Sequence, residues 1–498
     1  MRFFNLRLLY LIPLAAALLP SCRPGHEHTR SSLEIVVATE TATLDPRFST
    51  RALDIKVTRL VHAGLMGLDP TTLLPVPLLL RSHRFVNDTT LELELRPEAH
   101  FHSGRPLSAL DVCATLGALA DPALKSPHRT LVRAIGSCSV LGDHALRIAL
   151  AEPRATLLSD LELPILRADQ ARFGPRPNGD LDGLGPFRVA SVKPGEVLLE
   201  PAENGVMPRP ARGVVVRTVR DENARALRLL AGEADIAPNA ISPGLLPALE
   251  RESSLSVVTR AGANVTYLLM QNDRAPFDRA EIRHAIARAI DRALIVRTLL
   301  GGRARVASSL LPPDHWAAEP ELQPEPFDPE AARAVLTGLP RLTLLTSTDR
   351  ARVVLARVIA QMLGDAGLEV EVEALDLGVL LERLDAGDYS MATLQLPELT
   401  EPNVLAWFFH PDRIPGEGTE GKNRVRYRSA EARRWLDAAS RTRDPAPRRE
   451  AYRHFAQLLQ RDMPVVPLWH EDQIAVVGER ARGFELSAEG RWLDVASL

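Results

Sequence analysis

The stretch QNDRAPFDRAEIRHAIARAIDRALIVRT, residues 271–298, decides how this chain is read. It opens on polar residues and a Pro-Phe pair. Asp278 then stands three residues before Glu281, the spacing of an N-cap and its capping-box partner. Ile282, Ile286, Ile290 and Leu294 recur at every fourth position, with Ala285, Ala289 and Ala293 beside them. This is one apolar stripe, and it predicts a single helix of about five turns with a buried face. Gly301 and Gly302 are expected to stop it.

A helix of that kind needs a body to pack against, and the length supplies several. At 498 residues the chain exceeds what one core supports, so two or three domains are expected. With 45% apolar and 25% charged residues the composition is that of a globular protein. A net charge of −3 gives no field that would draw nucleic acid, and no nucleic-acid partner is expected. The chain carries no G-x-S-x-G, no HExxH, no CxxC and no GK[ST]. An enzyme is therefore not expected, nor a cofactor or a resident metal. The pair His100 and His102 would share one strand face, but no further ligand lies near them in sequence and a structural role is expected. The HEH run at 26–28 would bind a metal only loosely.

At the N-terminus, Arg2 and Arg7 precede an apolar run over 8–19 broken by Pro13, and Ser21-Cys22 follows. A positive n-region before a short apolar core is a secretory signal, too short to span a membrane comfortably. Leu19-Pro20-Ser21-Cys22 resembles a bacterial lipobox, in which the cysteine is lipidated and becomes the mature terminus. Residues 1–21 are then the signal, Cys22 the lipidation site, and the polar residues 22–32 a tether holding the body at a membrane surface. Only Cys113 and Cys138 remain. In an oxidising compartment the pair permits one disulfide; the alternative is two separate buried thiols.

The body reads as α/β. LEIVVA (33–38) is a buried strand followed by the polar loop TETATLDP. FVNDTTLELEL reads as a hairpin turning at Asn87-Asp88, with Leu91, Leu93 and Leu95 alternating to one face. GVVVRTVRDENARALRLLAGEADIAP reads as strand, helix, strand, and from Arg341 the chain again alternates strand and helix.

The opening stretch, through Asn272, Pro276-Phe277-Asp278, Arg283, Ala285-Ile286 and Ala289 to Arg292, resembles the signature block of family 5 extracytoplasmic solute-binding proteins. These are the dipeptide- and oligopeptide-binding proteins of ABC importers. Further blocks resemble the family in order: Leu95-Arg96, Phe101-His102, Gly104 and Pro106-Leu107, with Ser103 for the usual Asp; Gly183-Leu184-Gly185-Pro186-Phe187, with Leu184 for the usual Thr; Gly232-Glu233 with Asp235-Ile236; Gly387-Asp388-Tyr389; and Asp444, Arg449, Tyr452, Pro464 to Leu468. The resemblance implies a periplasmic-binding-protein type II fold, two lobes around a cleft with a small domain inserted in the first. It places 33–68 and 183–268 in the first lobe, 69–182 in the inserted domain, 269–474 in the second lobe, and 475–498 back in the first. The glycines of 183–185 suggest a backbone crossing between lobes.

The function so implied is capture of a peptide by hinge closure and delivery to an ABC permease and its ATPase, outside the cytoplasm and lipid-anchored. The family loop "D-x-x-(D/E)-P" holds a ligand ammonium, and Glu398 stands at its acidic position with Glu401 before Pro402; the alternative is a solvated acidic loop. Thr39, Glu40 and Thr41 match a loop along the cleft, or are a solvated strand end. Asn272 offers a cleft hydrogen bond or closes a turn. Trp407, with Phe408 and Phe409, lines a pocket or is core. Since some members of the family bind nickel complexes or haem, a metal chelate, haem or another small solute is the alternative ligand, and a sensor lipoprotein the alternative role.

Overall fold

The strand Ser32–Val37 is buried on both faces, as an apolar run in a partly parallel sheet must be. In the computed structural model, which describes residues 31–417 and 421–498, it lies at the middle of a seven-stranded sheet. Gly213–Thr218 runs parallel on one side, with Leu33 opposite Val214, and Ile236–Pro238 on the other. Beyond Gly213–Thr218 come Glu196–Pro201 and Phe187–Lys193, a hairpin turning at Gly195 (φ +72°). Beyond Ile236–Pro238 come Gln473–Gly478 and Leu255–Arg260. Because Ser32 is already strand, the tether expected over 22–32 stops short of it. The signal, Cys22 and the HEH run lie outside the described residues.

A second sheet has six strands in the order Ala304–Val306, Val465–Glu471, Val265–Met270, Met391–Leu396, Leu342–Ser347, Val370–Leu375. Val265–Met270 is buried at every position, because apolar clusters cover both faces: Val265, Tyr267 and Leu269 enter one, Leu268 and Met270 the other. Its residues up to 268, expected in the first lobe, thus belong to the second sheet. Two strand pairs carry the chain between the sheets. Leu255–Arg260 passes to Val265–Met270, and Val465–Glu471 passes through Asp472 to Gln473–Gly478.

Between the early strands of the first sheet lies a four-stranded antiparallel sheet, Leu80–Asn87, Thr90–Leu95, Ala145–Leu150 and Ile135–Val140. Leu91, Leu93 and Leu95 turn inward against helix Ala109–Ala120. That helix starts in a capping box in which Ser108 N–H donates to the Asp111 carboxylate at 3.0 Å. The helix carries Cys113, joined to Cys138 of the edge strand with Cα atoms 5.3 Å apart. A glycine sets the packing here. A Cβ on Gly185 would lie 2.5 Å from the Leu60 carbonyl oxygen, so only glycine lets this backbone reach the end of helix Ala52–Val61. Over the glycines of 183–185 the chain passes from Leu184 in the core of the four-stranded sheet to Phe187 in the core of the first sheet, with Gly185 N–H donating to Val61 O at 2.8 Å.

The stretch 271–298 forms two helices, Ala280–Ala289 and Arg292–Thr298, not one. Ile290 is extended (φ −101°, ψ 111°), and the Asp291 carboxylate accepts the Leu294 N–H at 2.8 Å, capping a new helix. The apolar stripe continues across the break, which is why periodicity alone does not show it. The first helix begins after Arg279 without a side-chain cap, so Asp278 is not its N-cap. The two signature arginines are buried and satisfy carbonyls. Arg283 donates to Phe277 O at 2.7 Å and Met463 O at 3.0 Å, and Arg292 to Pro467 O at 3.2 Å. They clamp the helices to the end of helix Pro445–Asp462 and the start of Val465–Glu471.

Candidate functional site

The contact between the two large sheets is built outward from the strand crossings. Asn264 closes it at the base: its amide donates to Glu471 O at 2.7 Å and accepts Glu471 N–H at 2.9 Å. The side chain thereby extends the ladder between the crossing strands. Its own carbonyl lies 2.6 Å from His470 Nδ1. The Glu471 carboxylate faces Arg352 at 2.7 Å and accepts from Thr266 Oγ1 at 2.9 Å and Trp469 Nε1 at 3.1 Å. Burial works against its charge, but these donors hold it below the usual carboxylate range.

Leu399 is buried and its N–H donates to Ala263 O at 2.8 Å, which fixes the loop after Met391–Leu396 beside the crossing. Glu398 is thereby turned to helix Ala52–Val61 of the first lobe, where Arg59 Nη1 donates to it at 3.1 Å. Arg59 also faces Glu162 of the inserted domain at 3.7 Å. Glu162 is paired in turn with Arg491, which lies 2.9 Å from Glu489. Burial opposes the Arg59 charge, yet Glu162 and Glu398 raise its pKa above the ordinary guanidinium value. Lys56, one turn earlier on the same helix, has its pKa lowered by burial, with Glu398 pulling the other way. Its ammonium sits 5.9 Å from the Trp492 ring centre. Within this cluster, and among the described residues, Arg491 Nη2 and Trp492 Nε1 lack an acceptor, and Glu489 Oε2 lacks a donor.

The inserted domain closes on the second lobe as well. Arg443 donates to Asp88 O at 2.8 Å and stacks over Phe85 at 3.7 Å; Ser159 Oγ donates to Glu401 at 3.1 Å; Ala155 N–H reaches Ser440 O at 3.3 Å. Glu401 is also held by Arg448 at 2.6 Å.

Of the residues chosen from sequence, Glu398 stands between the lobes, already paired. Asn272 does not stand with it. Met391 of the neighbouring strand is opposite Met270 and Leu396 is opposite Val265, so Glu398 and Asn272 leave opposite ends of the second sheet. Asn272 spends its amide on Met270 O at 2.6 Å and Pro464 O at 3.0 Å. Thr39, Glu40 and Thr41 are in the first lobe at the end of Ser32–Val37. There Glu40 pairs with Arg220 at 3.0 Å, and with Thr41 it borders a 270 Å³ cavity whose lining includes Leu53, Gly195 and Thr218. Trp407 is half-buried under the Arg413 guanidinium at 5.4 Å, while Phe409 is core and Phe408 packs against it. His102 lies 2.9 Å from Gly185 O, and His100 Nδ1 3.1 Å from Phe101 O.

Sequence reasoning missed Lys56, Arg59, Glu162 and Arg491. One signal was present. Lys56 is one of only four lysines (with Lys125, Lys193 and Lys422) in a chain that otherwise carries its positive charge on arginine.

Residues 75–416 match the family described as bacterial extracellular solute-binding proteins, family 5. A dipeptide-binding protein of Pseudomonas aeruginosa is 24% identical, over 97% of this chain and 98% of its own. The glutathione-binding protein GsiB of Escherichia coli K12 is 24% identical, over 96% and 95%. Among solved structures, NikZ of Campylobacter jejuni, in complex with Ni(L-His), superposes with a TM-score of 0.81 at 21% identity, covering 93% of this chain and 98% of that one. DppA of Helicobacter pylori, in complex with the peptide STSA, gives 0.78 at 22% identity, covering 93% and 97%.

Proposed function

This chain belongs to family 5 of the bacterial extracellular solute-binding proteins, and from that premise we propose that it captures peptides between its lobes and passes them, chemically unchanged, to a membrane permease. The fold is that of type II periplasmic binding proteins, and the family acts outside the cytoplasm. The observation that carries the proposal is the Arg59–Glu398 pair, which joins a first-lobe helix to a second-lobe loop beside two strand crossings. Paired strand crossings allow rigid lobes to open and close, and a peptide backbone entering the gap is read by hydrogen bonds. Relatives named for dipeptides and glutathione support the ligand class.

The proposal includes a domain division with 33–68, 183–264 and 473–498 as the first lobe, 69–182 inserted, and 265–472 as the second lobe; strand membership moves 265–268 out of the first lobe and 473–474 out of the second, where the family blocks had put them. It includes a lipid anchor at Cys22 and a permease with its ATPase as partners. Glu398 is the sequence-chosen residue proposed to meet the ligand. Glu40 and Thr41 border the first-lobe cavity, and neither Asn272 nor Trp407 is given a ligand role.

A thermal-shift screen of di- to pentapeptides tests the reading. A ligand at a hundred times its Kd stabilises by about 2.7 kcal/mol, so a binding peptide raises the melting temperature with concentration. If no peptide does so while a nickel–histidine chelate does, peptide capture is wrong.

A further inference from the structure

Lys56 and Arg59 are three residues apart on helix Ala52–Val61 and share one face. Both act on Glu398, the carboxylate brought to the gap by the second lobe. Arg59 bonds to it at 3.1 Å, and Glu398 is the strongest charge acting on Lys56. The surrounding carboxylates are engaged by guanidinium groups: Glu162 by Arg59 and Arg491, Glu398 by Arg59, and Glu489 by Arg491 through one oxygen, its charge also acting on Lys56 without a hydrogen bond to it. Lys56 is left over. Among the described residues its ammonium has no hydrogen-bond acceptor and no ion-pair partner, only the face of Trp492.

We propose that this end of the gap takes the acyl or carboxylate end of a ligand and rejects a free ammonium. Lys56 donates to the ligand oxygen, and Arg59 withholds Glu398. The proposal rests on the peptide reading above and narrows it to peptides whose amino end is blocked or acidic. An incoming ammonium has to displace Arg59 from Glu398 and stand beside two cations, a repulsion that grows as closure removes water. A carbonyl or carboxylate oxygen instead supplies the acceptor that Lys56 lacks, and bonds to charged donors are the stronger ones.

The test presents the full chain with a randomised tetrapeptide pool in three forms: free, N-acetylated and N-succinylated. Retained peptides are quantified by mass spectrometry after gel filtration. The wild type is expected to retain the succinylated form best and the free form least, with about tenfold between them, equivalent to 1.4 kcal/mol. Lys56→Met should remove the advantage of succinyl over acetyl, and Arg59→Leu should raise the free form to or above the acetylated one. Preference for the free form by the wild type overturns the inference and leaves peptide capture standing. Retention of none of the three forms overturns peptide capture itself. Should Arg59→Leu fail to fold, Lys56→Met decides alone: an unchanged succinyl preference overturns the inference.

Discussion

Replacing Asn264 by Ala tests whether the crossing between the sheets depends on one side chain. Asn264 is 3% exposed and pairs with both backbone groups of Glu471, at 2.7 and 2.9 Å. The backbone is packed tightly around this pairing: a Cβ on Gly262 would lie 2.1 Å from Glu471 O, with Gln473 Nε2 at 3.3 Å. Each hydrogen bond contributes about 1 kcal/mol, and a buried backbone group left unpaired costs about 1–3 kcal/mol more. A total near 3 kcal/mol follows, after allowing for water reaching one of the two groups. The loss is local to the crossing, so amide hydrogen exchange measures it better than a global melt. Peptides covering 465–474 should exchange about a hundredfold faster in Asn264→Ala, since 1.4 kcal/mol is a factor of ten. Peptides from the inserted sheet serve as the unchanged reference. Exchange at 465–474 within twofold of wild type would refute the reasoning.

Three further outcomes follow from the structure. The Cys113–Cys138 bond closes a 25-residue separation, so Cys113→Ser with Cys138→Ser should destabilise the inserted domain by roughly 3.5 kcal/mol and expose it first to limited proteolysis. Burial lowers the pKa of His62 to about 3 and that of His470 to about 4, both below the unfolded value of about 6.5. Their neutral forms therefore contribute stability that is complete above pH 6.5 and is lost as pH falls towards those values. His62→Gln should flatten the decline in urea unfolding free energy between pH 6.5 and 4.5 by about 2–3 kcal/mol, and an unchanged slope would show that His62 titrates normally. Gly185→Ala should cost about 3 kcal/mol or more in urea unfolding, because its Cβ would meet helix backbone and not a side chain able to move.

Local order in this chain was written locally. The buried run from Leu33 and the alternation of Leu91, Leu93 and Leu95 each rest on residues a few positions apart, and the structure uses them as read. The family blocks added the two-lobed plan, which periodicity alone does not supply. What the sequence could not show were the pairings made by closure. Glu398 was visible as an acid in a loop, but its partner Arg59 lies 339 positions away on another lobe. Asn272 and Glu398 were grouped by resemblance, and only strand register sends them to opposite ends of one sheet. The break at Ile290 was hidden because a side-chain stripe records which face is buried, not whether the backbone between two turns stays helical. Residue order fixes neighbours within reach of a few bonds. The charge felt at Glu398 depends on which distant helix packs across the gap, and that is settled only when the lobes are assembled.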